Sequence, residues 1–566
     1  MPNPSLDSLE NHLQRARQVL ETCEEYLRRL ASIGDRAGRL QELLAGTRQL
    51  SSLPVADRVD LNLGTLHILF ANAADWVTRE FRLPGGRQAA LCYLDGLVDA
   101  RRLEGLLLKP MLYDGFPVHT VGAPSPLELV VQHVLAVSQV TLVRNMDQVV
   151  DRILAGQAVV FVDGETEAIA CAVQHWESRH PEEPAAETVI RGPREGFVET
   201  LQTNLSLLRR KVRSPFLRLE RIQLGELSRT NVVVAYIKGL APEPLVVEVR
   251  KRLSRIRMDG VLESAYVEEW IEDHPSSPFP QIKGTERPDA VAADLLEGRV
   301  AILTEGTPFV LVVPTTFWSL NQPSEDYYHR FWIATALRLL RFVNLLIALF
   351  LPALYVAATT FNQAVLPTPL LLTVAASREG IPFPAVIEAL LLEISFEALR
   401  EAGVRLPRPI GQAISIVGVL VIGEAAIRAG IVGPPMVIVV SMTGIASFVV
   451  PHFNLAIGLR LLRFPLIVLA SVLGIFGVVV GFLAILVHLC SLRSFGIPYL
   501  WPVAPFSLSG LKDVVLRPAF WSRPPRPVSR TNRMRQTPQP EVGPADIGEG
   551  EEVPTLQARE GNGAPT

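Results

Sequence analysis

Cysteine is scarce in this chain. Only Cys23, Cys92, Cys171 and Cys490 occur in 566 residues, far apart and without metal-ligand spacing. A disulfide framework and a cysteine-built metal centre are thereby excluded, and the thiols are expected to be reduced and structural. Catalytic signatures are missing as well. His133, His175 and His180 are scattered, no HExxH or CxxC occurs, and no serine stands in a GxSxG context, which argues against an enzyme. Neither a Walker-type lysine loop nor a strand-linked GxGxxG is present, so no nucleotide cofactor is expected, and no other cofactor or metal is. A formal net charge of -3 with no basic, aromatic-studded stripe gives no reason to expect nucleic acid as a partner. The amino-terminal stretch is charged throughout and does not read as a signal peptide, so the soluble half is expected on the cytoplasmic side.

Apolar residues are what the chain has, and they are unevenly placed. Residues 1–330 read as soluble, whereas 342–490 carry long apolar runs. The stretch Gly411–Val450 holds about forty residues split by Gly433-Pro434-Pro435, and only Glu424 and Arg428 in it are charged. A helix needs about 20 apolar residues to cross a hydrocarbon core, and the Gly-Pro-Pro break ends one helix and starts the next. Further spans are expected over Phe342–Thr360 and roughly Phe464–Leu489, the latter with small-x3-small spacing at Ala470/Gly474 and Gly477/Gly481. The segment 329–341 reads as an interfacial helix, with Arg338 and Arg341 marking a cytoplasmic start. Residues 364–377 are too short for an ordinary span and contain Pro367 and Pro369, which suits a re-entrant or broken helix. The best count is four full spans and one re-entrant segment. If 364–377 crosses fully, Arg400, Arg405 and Arg408 move inside and a sixth crossing must be found near 496–516.

The soluble half repeats itself. AALCYLDGL (89–97) resembles VVVAYIKGL (232–240), and ILAGQAVVFVDGETEAIACAV (153–173) resembles LLEGRVAILTEGTPFVLVV (295–313). Gly96, Gly156 and Gly164 recur as Gly239, Gly298 and Gly306 at offsets of 142–143 residues. Each copy reads as strand, glycine turn, helical region and a hairpin turning at Asp163-Gly164 or Glu305-Gly306. The fold class is therefore an α/β cytoplasmic module of two tandem related subdomains plus an all-α helical membrane domain. Its parts are a helical amino-terminal extension (1–50), subdomain 1 (51–185), a linker helix with subdomain 2 (186–320), the membrane domain (325–500) and a Pro/Arg-rich disordered tail (506–566). In the extension, Leu6, Leu9, Leu13, Leu20, Leu27 and Leu30 suggest amphipathic helices for partner or self-packing. The basic run Arg209, Arg210, Lys211 and Arg213 reads as a solvated or phosphate-facing helix face, or as a contact with the membrane surface or a partner.

Eight stretches resemble the A-subunit family of spore germinant receptors, the GerA family. They are YLDGLVD (93–99), IRGPREGF (190–197), SPFPQIKGTERPD (277–289), EDYYHR (325–330), PALYVA (352–357), REGIPFP (378–384), LREAGVRLPRPIGQAISIVGVLVIGEAAIRAGIV (399–432) and VIVV (437–440). They run in family order over roughly residues 60–500. The resemblance implies a subunit of the inner spore membrane that works with a transporter-like B subunit and a lipoprotein C subunit. It also implies a homo-oligomeric ring, embedded in membrane lipid, that forms an ion-conducting path. A sporulation branch of the same family, acting as an accessory ion channel, is similar. A secondary transporter is the third alternative, although the visible repeat lies in the soluble half, where inverted membrane repeats would not be.

Two sets of residues are candidates for the path. Glu388, Glu393, Glu397 and Glu424 are carboxylates among apolar residues, expensive in lipid and treated as functional by default. Glu393, Glu397 and Arg400 share one helix face, which could equally be the wet side of an interfacial helix. The helix after Pro434-Pro435 carries Val437, Val440, Ser441, Gly444 and Ser447. Its small, weakly polar stripe could line a path or pack against a neighbour.

Overall fold

A computed structural model of the chain describes residues 53–83, 86–113, 139–174, 183–184, 186–405 and 423–519. The amino-terminal extension, His133, His175, His180, residues 411–422 and most of the tail lie outside the described residues.

The first α/β unit begins with helix α1 (Val59–Leu69) and strands β1 (Trp76–Arg82) and β2 (Gln88–Leu94). A helical stretch over 100–113 follows, then β3 (Val140–Val143), α2 (Met146–Leu154), β4 (Ala158–Val162) and β5 (Ala168–Cys171). The five strands form an antiparallel sheet in the order β1-β2-β4-β5-β3. The apolar runs AVVFV and AIAC take interior places because both of their faces are covered. Ala90, Cys92 and Leu94 point toward α1 and α2, and Ala89 and Leu91 toward Leu103, Leu107 and Met111. Helix α2 buries Met146, Val149, Val150, Ile153 and Leu154, the spacing of one amphipathic face.

The second unit runs α3 (Leu201–Lys211), β6 (Leu217–Leu224), β7 (Thr230–Ile237), α4 (Glu243–Leu253), α5 (Ser264–Ile271), β8 (Lys283–Thr285), α6 (Pro288–Leu296), β9 (Val300–Thr304) and β10 (Val310–Val313). Its sheet order is β6-β7-β9-β10-β8, the order of the first sheet with each strand five places on. Helices α3 and α6 cover one face, α4 and α5 the other. The hairpin glycines Gly164 and Gly306 have φ of 88° and 89°, a left-handed conformation that glycine adopts without steric cost.

The two units are joined by Arg209, which is not on a solvated face. Its Nε donates to Asp75 at 2.7 Å and both side chains are about 1% exposed, so the basic-run expectation is corrected for this residue. Arg210 and Lys211 instead pair with Glu195.

The carboxy-terminal half is helical: α7 (Phe331–Thr360), α8 (Thr368–Arg378), α9 (Ala385–Arg405), α10 (Pro434–Phe448), α11 (Phe453–Leu473), α12 (Ile475–Ser491) and α13 (Leu508–Val515). Helix α7 packs on α10, α11 and α12, and α9 on α10 and α11. Among the described residues α7 and α11 are long and apolar enough to cross a membrane, and α10 and α12 are shorter apolar helices.

Three expectations change here. The interfacial segment before Phe342 is not separate, because α7 runs unbroken from Phe331. Arg338 and Arg341 are buried and share Asp326, at 2.9 and 3.0 Å, so they are not free for headgroups. The run Phe464–Leu489 is not one helix. Gly474, with φ of 64°, ends α11 and starts α12, and the two fold back on each other. A Cβ on Gly477 would lie 2.2 Å from the Leu469 carbonyl oxygen, and one on Gly481 2.3 Å from Leu466 Cδ2. The small-x3-small spacing therefore closes this hairpin.

Candidate functional site

Three of the stretches singled out in the sequence meet where the second α/β unit touches the helices. Arg287 lies at the start of α6, and its Nη2 donates to the Pro193 carbonyl and to Asp289, both at 2.9 Å. Its Nη1 donates to the Glu187 carbonyl at 3.2 Å. Asp289 also accepts from the Tyr328 hydroxyl, in a very short contact. Burial and this carboxylate push the Tyr328 phenol well above its usual range. Glu325 accepts from the backbone N–H of Ile190 at 3.2 Å and of Arg191 at 3.3 Å. Gly192 sits against the Tyr328 ring, where a Cβ would be 2.7 Å away, so the close approach needs glycine.

Beside this knot lies the turn between α10 and α11. The His452 side chain there is 11% exposed, with Nδ1 3.9 Å from Glu187 Oε1, too far for a hydrogen bond. Burial, then the nearby Lys283 ammonium, lower the imidazole to about 3, with Asp294 opposing. A neutral imidazole makes this a contact and not an ion pair. Asp294 accepts from Lys283 Nζ at 2.9 Å and lies 3.3 Å from Arg299. Burial alone would raise its pKa, but the two cations hold it below the usual carboxylate range.

The loop over 277–280 wedges between α11 and α12. The Pro278 carbonyl would lie 2.2 Å from a Cβ on Gly458. Ser277 Oγ is 2.9 Å from His488 Nε2, and Tyr499 donates its hydroxyl to the Pro280 carbonyl at 2.7 Å. The second unit thus makes direct contact with α11, α12 and the turn between α10 and α11.

Inside the bundle Glu388, Glu393 and Glu397 of α9 each meet an arginine. Glu388 pairs with Arg378 at 3.0 Å and accepts from the Gly433 N–H at 2.8 Å. Glu393 and Arg463 are both buried and 2.5 Å apart. Arg463 Nε also donates to the Ala348 carbonyl at 2.9 Å. That carbonyl is available because Pro352, four residues on, has no N–H to offer it. Glu397 is 3.1 Å from Arg460 and 3.4 Å from Arg400, and Arg400 Nη2 donates to Ser447 Oγ at 2.8 Å. Glu424 stands apart, exposed and paired with Arg428 at 2.5 Å. A carboxylate lining of an ion path is one expectation for this face, and within the chain Glu388, Glu393 and Glu397 are paired with arginines.

The stripe on α10 divides. Val440, Gly444 and Ser447 are buried within the chain, and Gly444 sits so close to the Phe396 ring of α9 that a Cβ would be 2.5 Å from it. Val437 and Ser441 are half-buried. Sequence reasoning missed Arg463, Arg460, Pro352 and His452 as parts of the site. Of these, Pro352 inside an apolar helix was the readable signal, since it frees a carbonyl that something must satisfy.

The family model described as Bacillus/Clostridium GerA spore germination protein matches residues 65–529. The uncharacterized membrane protein YfkQ of Bacillus subtilis (strain 168) is 48% identical over 84% of this chain and 91% of its own length. Spore germination protein KA of the same organism is 45% identical over 82% of this chain and 86% of its own. The crystal structure of the N-terminal domain of the A subunit of the Bacillus megaterium spore germinant receptor GerK3 is 32% identical. It covers 47% of this chain and 97% of that chain, with a TM-score of 0.38.

Proposed function

The chain belongs to the GerA family of spore germination proteins, and from that premise we propose that it is the membrane-embedded A subunit of a germinant receptor. On this reading it oligomerises through the helical half into an ion-conducting path that opens when partner subunits sense a nutrient. A transporter-like B subunit and a lipoprotein C subunit are the proposed partners, and the inner spore membrane the proposed site. The observation that carries the reading is the match over most of the chain to proteins named for spore germination.

Several features support the finer parts. Equal strand order and matched glycines favour two tandem related α/β units. Helices α9 and α10 run in the same direction, with Glu388 beside Gly433 and Arg400 beside Ser447. The chain must then recross between them, which favours six crossings over four, with the α/β units and the carboxy-terminal segment on the cytoplasmic side. The path itself is proposed along α10, on the edge carrying Val437 and Ser441, with Val440 behind it as a constriction that gates by dewetting.

Two experiments test this. Spores lacking the gene should lose ion release to one nutrient class and regain it on complementation; unchanged germination to every nutrient would favour the sporulation branch. Reconstituted Val440→Ala should leak at rest. Unchanged leak in Val437→Ala, Val440→Ala and Ser441→Ala, with normal assembly, would move the path to α9. Flux that saturates with one solute would favour the transporter.

A further inference from the structure

Among the described residues, the contact between α9, α10 and α11 holds more positive charge than Glu393 and Glu397 balance. Glu393 and Arg463 make one neutral pair. Glu397 is then left facing two guanidiniums, Arg400 and Arg460. The Arg400 side chain is 10% exposed, and its Nε is buried with no hydrogen-bond partner among the described residues. The chain that continues from α9 cannot supply the missing charge, because residues 402–423 contain no Asp or Glu and add Arg405 and Arg408. A surplus buried cation with an unsatisfied N–H is costly unless an anion meets it.

We propose that Arg400 and Arg460 form a binding site for a phosphate-bearing anion, supplied by the headgroup of an anionic lipid. Position supports this source. Ser447, which holds Arg400, is in the last turn of α10, and Arg460 is two turns beyond His452, about 12 Å along the helix at 1.5 Å per residue. The cluster therefore lies near the end of the bundle that faces the second α/β unit, where long arginine side chains reach the headgroup layer. Basic pockets between membrane helices on the cytoplasmic side are suited to such headgroups. Access comes past Phe448, which is 70% exposed and has the Arg400 guanidinium 4.7 Å from its ring centroid. The planar guanidiniums suit two phosphate oxygens at once.

The inference rests on the membrane reading, and the experiment separates the two. The full chain is reconstituted in phosphatidylcholine vesicles with and without phosphatidylglycerol, and flotation, lipid retention by native mass spectrometry and Tm are measured. Failure to float with either vesicle would sink the membrane reading. Flotation with preferential retention of phosphatidylglycerol and a raised Tm is the expected result. Arg400→Gln and Arg460→Gln should each retain it roughly tenfold less, the loss of one charge-assisted contact. Arg428→Gln, an exposed pair elsewhere, should behave as the parent does. A Tm rise with inorganic phosphate in detergent, but none with phosphatidylglycerol, would keep the site and make its occupant a free anion. No preference for either phosphate source, or equal retention by folded Arg400→Gln and Arg460→Gln, would overturn the proposal.

Discussion

The two α/β units use one scaffold and differ in what its rim touches. A shift of 142 residues carries the strand pairs Val143–Ala168 and Thr141–Ala170 onto Thr285–Val310 and Lys283–Val312. In that register the first unit has Thr141, Asn145, Arg152 and Gln157 where the second has Lys283, Arg287, Asp294 and Arg299. The interior strands β4, β5, β9 and β10 are buried throughout in both units, and the rim differs. In the second unit that rim meets Glu187, His452 and the loop carrying Tyr328. Sheet order is thus carried by strand residues buried on both faces, while attachment to the helices is carried by rim residues that differ between the two units.

The largest expected effect comes from the loop that carries Tyr328, by removing the buried anion that fixes it to α7. Asp326→Ala leaves Arg338 and Arg341 buried without their shared carboxylate. Breaking such a cluster costs roughly 3–5 kcal/mol. The helical half should lose its cooperative thermal transition, while the amides of the first unit stay protected in hydrogen exchange. Equal loss of protection in both units would mean that they are not separable in this way.

A matched pair sharpens the comparison. Arg287→Ala removes donors to two carbonyls and to Asp289 and should cost roughly 2–4 kcal/mol. Asn145→Ala, at the equivalent place in the first unit, makes no side-chain cap to α2 and should stay within about 0.5 kcal/mol. Similar Tm losses for the two would refute the claim that the rims have diverged in role. A smaller disturbance, Gly458→Ala, forces a methyl against the Pro278 carbonyl and should cost roughly 1–3 kcal/mol. The expected sign is faster proteolysis within residues 275–282 with the sheet intact, and unchanged cleavage there would contradict the wedge.

How far the sequence could be read follows from the range of the interactions. The 142-residue offset and the Asp163-Gly164 and Glu305-Gly306 turns are local patterns, and they located both hairpins. The apolar runs inside the repeat likewise marked the interior strands. The Gly474 break was hidden because residues 464–489 are apolar on both sides of it, so length alone reads as one span. The charges on α9 were legible as a face, yet their neutralisation was not. Glu393 meets an arginine 70 residues away, and Asp75 one 134 residues away. Composition records such charges without recording which of them pair. The burial of Arg338 and Arg341 was hidden for the same reason, since Asp326 reaches them only once the chain has folded back.

The last test uses pH, and His452 sets its sign. Its folded value of about 3 lies far below the roughly 6.5 of an unfolded histidine, so the unfolded chain binds the proton that the folded one refuses. The stability it contributes is present above about pH 6.5 and is lost as pH falls toward 3. Between pH 7 and pH 5 this amounts to at most about 2 kcal/mol, from 1.36 kcal/mol per pH unit. Glu187 acts in the opposite sense. Burial raises its carboxyl, so its contribution is present in acid and is lost as pH rises. Asp294, held low by Lys283 and Arg299, adds a loss only in stronger acid. Comparing the parent with His452→Gln isolates the histidine from these neighbours. The parent should lose more stability between pH 7 and pH 5 than the variant, and hydrogen exchange should place that loss at residues 283–294 and leave 141–152 protected. Equal slopes in the two proteins would mean that His452 is not neutral and buried at this junction, and the second unit would then lose its distinctive hold on the α10–α11 turn.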